Sequence, residues 1–95
     1  SPEREELESL YLNIRNLREG KQAVLSAEKT FEIVKNNHPK DWLLPLEIAE
    51  LCDKTNNNEL LNQVLIHLEK VKQARPEITH LISGGLELFM EKVTL

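Results

Sequence analysis

Apolar residues recur three and four positions apart along most of this chain, the spacing of one face of an α-helix. Leu7, Leu10, Ile14 and Leu17, with Tyr11 beside them, predict a first helix over residues 2–19. Ser1-Pro2-Glu3 supplies a cap, a proline at the first helical position and an acid in the first turn. Acids early and Arg15 and Arg18 late suit the helix dipole, and Gly20 is the stop. Ala27, Phe31 and Val34, with Ile33 adjacent, predict a second helix over 26–37 capped by Ser26. Asn36-Asn37-His38-Pro39 ends it, because a proline disfavours helical geometry in the residue before it. Lys21–Leu25 is either a connector or a frayed start to that helix.

The densest apolar run, His38–Leu51, reads as a turn feeding a buried helix over 42–54. Asp41 can accept from the free amides of the new first turn. Pro45 then falls near the edge of the zone a proline tolerates, so either the first turn is distorted or the helix starts again at Leu44. Leu44, Ile48 and Leu51 form one stripe, widened by Leu43, Leu46, Ala49 and Cys52, with Glu47, Glu50 and Asp53 on the wet side. A stripe this broad calls for neighbours on more than one side. Trp42 reads as a core anchor.

Thr55-Asn56-Asn57-Asn58 is a break, since asparagines bond their own backbone in turns; Asn57 or Asn58 caps the next helix. That fourth helix is predicted over 58–74, with Leu61, Val64, Leu65, Leu68 and Val71 inward. Pro76-Glu77 begins a fifth, along which Ile78, Leu81, Ile82, Leu86, Phe89 and Val93 keep the spacing. Gly84-Gly85 either permits a close helix crossing or splits the segment, and the continued spacing favours the crossing. No period-two run or Asn-Gly hairpin signals a strand. The expected fold is all-α: one domain over 1–95, a small up-and-down bundle of about five helices joined by short loops. The segments do not match one another, which argues against a repeat solenoid.

Charge narrows the class of partner. A net charge of −4 gives no basic face for nucleic acid or for an anionic membrane. One cysteine makes no internal disulfide, and no apolar run reaches the roughly 20 residues of a membrane span. The acidic start is no signal peptide and lacks an initiating Met, so the expectation is a cytoplasmic piece of a longer polypeptide. No catalytic, cofactor-binding or metal-binding residue can be assigned. His38, His67 and His80 include no pair at metal-ligand spacing, and all three read as solvent or turn histidines, His80 paired with Glu77. Cys52 reads as a buried structural thiol.

Leu10-Tyr11, Ile14-Arg15 and Arg18-Glu19, then His38-Pro39-Lys40-Asp41-Trp42-Leu43-Leu44 with Leu46-Glu47-Ile48, and finally Gly85-Leu86-Glu87-Leu88, succeed one another in a recognisable order. Together they resemble the C-terminal extension of the long bacterial phenylalanine 4-monooxygenases, pterin-dependent aromatic amino acid hydroxylases. The resemblance spans nearly the whole chain and is most specific at Pro39–Leu44. Pro45 departs from it. The resemblance implies a parent enzyme that hydroxylates phenylalanine with iron, a tetrahydropterin and oxygen. That family holds iron with two nearby histidines and a glutamate; no such set is present, so no catalytic residue or cofactor carries over. The fragment would be a non-catalytic tail serving docking, regulation or assembly, partnered by the rest of its polypeptide or by another subunit. The alternative is a free-standing interaction or homodimerisation module, which predicts an exposed apolar patch around Leu12, Ile33 or Leu46.

Overall fold

The computed structural model describes the backbone of residues 1–94 and side chains through Met90. Five α-helices occur in order: α1 (Pro2–Arg18), α2 (Ala27–Asn37), α3 (Leu43–Lys54), α4 (Asn58–Ala74) and α5 (Thr79–Thr94). Among the described residues there is no strand.

The caps set these limits. Ser1 Oγ accepts from Arg4 N at 3.4 Å, Ser26 Oγ from Lys29 N at 3.1 Å and Asn57 Oδ1 from Leu60 N at 3.3 Å. Each satisfies an amide that has no acceptor inside its helix. Gly20 closes α1 with φ +72°, a left-handed conformation that glycine adopts without steric cost. Asp41 Oδ2 accepts from Leu44 N at 3.0 Å, so Asp41 caps α3 as its sequence position suggests.

Pro45 leaves α3 intact rather than restarting it. It is the third residue of the helix, where the amide it lacks would have had no intrahelical acceptor, and the ladder begins at the next residue with Leu46 N to Trp42 O, 3.2 Å. The fifth helix differs from expectation at its start. Pro76–Ile78 forms a single 3-10 turn and α5 begins at Thr79. Gly84-Gly85 does not split α5. A Cβ placed on Gly85 would overlap Leu46 Cδ2, so this glycine lets α5 approach α3 closely, while Gly84 faces open space.

α3 lies at the centre, in contact with the other four helices. That position explains why its apolar stripe is broad. Leu44, Ile48, Ala49 and Cys52 are fully buried beneath Leu10 and Ile14 of α1, Phe31 and Val34 of α2, Val64 and Leu68 of α4, and Ile82 and Phe89 of α5 in one continuous core. Trp42 is half-buried against it. Two expected core residues lie outside: Leu43 is exposed because it precedes the stripe by one residue, and Leu81 because its neighbour Ile82 takes the inward position. Val93, also expected inward, lies outside the described side chains. The molecule measures 33 × 28 × 18 Å. Its short dimension is about two helix diameters, so the outer helices keep one face in water.

The segment 21–25 is a connector, held by α1. Buried Asn13 accepts from Val24 N and Leu25 N at 3.1 Å each, and its Nδ2 donates to Leu25 O at 2.9 Å and Thr30 Oγ1 at 3.1 Å. Thr30 Oγ1 in turn donates to Ser26 O at 2.7 Å.

Candidate functional site

α2 and α4 flank α3 and run in the same direction. Asn57 at the start of α4 reaches Glu28 at the start of α2, at 3.2 Å, and Arg75 just past α4 donates to Lys40 O just past α2, at 3.0 Å. A cleft of about 600 Å³ opens between their C-terminal halves. Phe31 of α2 and Val71 of α4 give it apolar walls, Pro39 and Ala74 close one end, and Ile66 stands at the rim, 60% exposed. Lys35, Lys40 and Lys70 surround it, and among the described residues no carboxylate lines it. Such a site, apolar within and polar at the edge, has the make-up of a binding cleft.

His67 lines this cleft and is buried, contrary to its expected place in solvent. The reason is visible in its position: three residues after Val64 and four before Val71, it sits on the inward stripe of α4. Its ring meets the Phe31 ring edge-on, with centroids 5.6 Å apart and planes at 80°. Its Nε2 is buried with no hydrogen-bond partner among the described residues. Burial first, then the charges of Lys35 and Lys70, push the imidazole below its ordinary pKa.

This lowered pKa makes the stability of the fold depend on pH. Below about pH 6.5 the unfolded chain's imidazole takes up a proton that the folded one refuses. The unfolded state therefore binds more protons, and the fold loses stability as the pH falls through that window. Urea midpoints measured at pH 7 and pH 5.5 should show His67→Leu gaining on the wild type as the pH drops. A difference that does not change with pH would contradict the neutral, desolvated imidazole.

The other histidines have ordinary roles. His38 ends α2, its Nε2 2.7 Å from Glu6 Oε1. Asn37 Nδ2 donates to the same oxygen at 3.2 Å, and these two hydrogen bonds, Asn37 first, lower the Glu6 pKa. Glu77 pairs with Arg75 at 3.3 Å, and no Glu77–His80 pair occurs among the described residues. Among the described residues no three His, Cys, Asp or Glu side chains come together in a group that could hold a metal ion.

Asp41 and Trp42 divide the tasks of cap and packing. Tyr11 Oη donates to Asp41 Oδ2 at 3.5 Å, and burial, followed by the Asp41 charge, raises the tyrosine pKa. Cys52 is buried, and that burial, with Glu28 adding to it, pushes the thiol up to about 11. A thiol that is both covered and protonated is a poor nucleophile. Native protein should leave an aromatic disulfide reagent unreacted over the time in which urea-unfolded protein reacts fully; equal rates would contradict the burial.

A second, shallower depression of about 370 Å³ lies on the face shared by α1, α3 and α5. Tyr11 and Arg15, then Leu43, Leu46, Glu47 and Glu50, then Gly85 and Leu88 surround it. Leu88 is 82% exposed and Leu43 47%. The expected apolar patch is thus centred differently: Leu46 belongs to this face but is half-buried against α5, Ile33 is half-buried, and Leu12 is exposed on α1 away from both depressions. No described helix is long and apolar enough to cross a membrane. Comparison with protein-family models, curated proteins and solved structures finds no match to this chain.

Proposed function

We propose that this chain is a non-catalytic helical docking domain of the kind that forms the C-terminal extension of long bacterial phenylalanine 4-monooxygenases. In this reading it seats on the iron- and pterin-dependent catalytic domain of its own polypeptide, in the cytoplasm. One observation supports it. The segments that carry the resemblance are scattered along the sequence, yet all but Arg18-Glu19 contribute a residue to the α1–α3–α5 depression, where Glu50 alone of the described surrounding residues lies outside them. Exposed Leu43 and Leu88 give that face the apolar contact a docking surface needs. Arg15, Glu47 and Glu50 supply polar groups around it.

The gene that encodes the chain decides the parent: a hydroxylase iron-binding domain encoded upstream is expected, and its absence ends the reading. Given that domain, Leu88→Asp should release the tail from it in co-purification while leaving the helical circular dichroism unchanged. The same exposed leucines favour a second reading, a homodimer through this face. Light scattering of the isolated chain at several concentrations separates the two, with a monomer expected for intramolecular docking.

A further inference from the structure

The cleft between α2 and α4 is the positive end of a longer groove. Toward the N-terminal ends of the same helices it continues into a depression that shares Phe31 and Gln63 with it. There the charged residues among those described are Glu28, Glu32 and Glu59, with no lysine or arginine. At the other end they are Lys35, Lys40 and Lys70. Lys35 lies within 3.5 Å of Glu32, an exposed pair of small energetic worth. Lys40 and Lys70 have no ion-pair partner among the described residues. Between the charged ends the floor is Phe31 and the buried His67, with exposed Ile66 beside them.

We propose that this groove receives one amphipathic helix from a partner protein, lying antiparallel to α2 and α4 with its acidic first turn on Lys35, Lys40 and Lys70. Three features of the groove define that occupant. Its length, from Glu59 to Ala74 along α4, is about 22 Å at 1.5 Å per residue, which suits a helix of about 15 residues. Its charge is opposite at its two ends. A helix with acids in its first turn and bases in its last, the ordinary arrangement, complements both ends only when antiparallel. An anionic lipid would meet the lysines but leave Glu28, Glu32 and Glu59 unanswered. Its apolar centre suits the i, i+3, i+4 stripe of such a helix. The groove shares no residue with the α1–α3–α5 face, so this proposal stands or falls separately from the docking one.

The test uses the 95-residue chain and two synthetic 15-residue peptides, each held helical by a hydrocarbon staple. They share a leucine stripe and differ only in charge order, one with Glu first and Lys last, the other reversed. Calorimetry should find the Glu-first peptide about tenfold tighter, the sum of a few exposed charge pairs. Amide shifts should centre on Phe31, Ile66 and His67. The Lys40→Glu/Lys70→Glu double variant, changed only at two exposed lysines, should keep its circular dichroism and lose the preference. Equal affinities, no binding at millimolar peptide, shifts confined to the α1–α3–α5 face, or binding of dodecanoate but not of either peptide would each overturn the proposal.

Discussion

Ile48→Ala should cost this protein about 3–4 kcal/mol, the upper part of the range for removing a buried isoleucine side chain. A domain of this length has roughly 5 kcal/mol in total, so the variant would remain folded by only about 1–2 kcal/mol. The size of the effect comes from where the residue sits. Ile48 is fully buried in α3, the helix that touches all the others, so the neighbours that would have to collapse into the vacated space are fixed from several sides. A cavity that cannot relax costs the lost transfer energy and the lost dispersion contacts together. Urea unfolding monitored by the fluorescence of the single Trp42 gives the measurement. The midpoint should drop by more than half with the slope unchanged; a drop of under a fifth would mean that α3 is not the shared centre of the core.

Asn13→Ala should be the costliest polar substitution, at about 2–3 kcal/mol, because it removes four hydrogen bonds at once, one of them to the buried Thr30 hydroxyl. The amides of Val24 and Leu25 lose their acceptor, and Leu25 O and Thr30 Oγ1 lose a donor, while alanine offers nothing in return. Asn13→Asp is the informative companion. It preserves the Oδ1 acceptor but removes the Nδ2 donor and places a carboxylate at a buried position, so it should also destabilise, and less so when protonated at low pH. Hydrogen exchange reports the local effect: the Val24 and Leu25 amides, bonded to Asn13 Oδ1 in the wild type, should be protected there and exchange freely in Asn13→Ala. Continued protection would show that something other than Asn13 orders the connector.

Much of the architecture could be read from local chemistry. Ser1-Pro2, Ser26, Asp41, Asn57 and Gly20 act where they stand as caps and stops, since capping depends on residues within a turn of one another. The features that escaped were set by contacts between elements. Asn13 looks like any polar residue on a helix until the connector folds back over it. Leu43 and Leu81 have the composition of core residues, and only the placement of α3 and α5 leaves them in water. His67 did carry a signal, its register with Val64 and Val71, which its chemical type overrode. The groove was beyond reach for a different reason: α2 and α4 are not consecutive in sequence and become neighbours only because both pack on α3, and their charges align only once their shared direction is known.

Gly85 and Leu46 occupy what is in effect one volume. A methyl gained at position 85 has to be accommodated by trimming the leucine on the facing helix or swinging it aside, because the two would overlap. Evolutionary drift at either position is therefore not free. Relatives of this chain should change the two together, a bulkier residue on one helix accompanied by a smaller one on the other, and that coupled variation would mark the α3–α5 crossing even in sequences too diverged to align elsewhere.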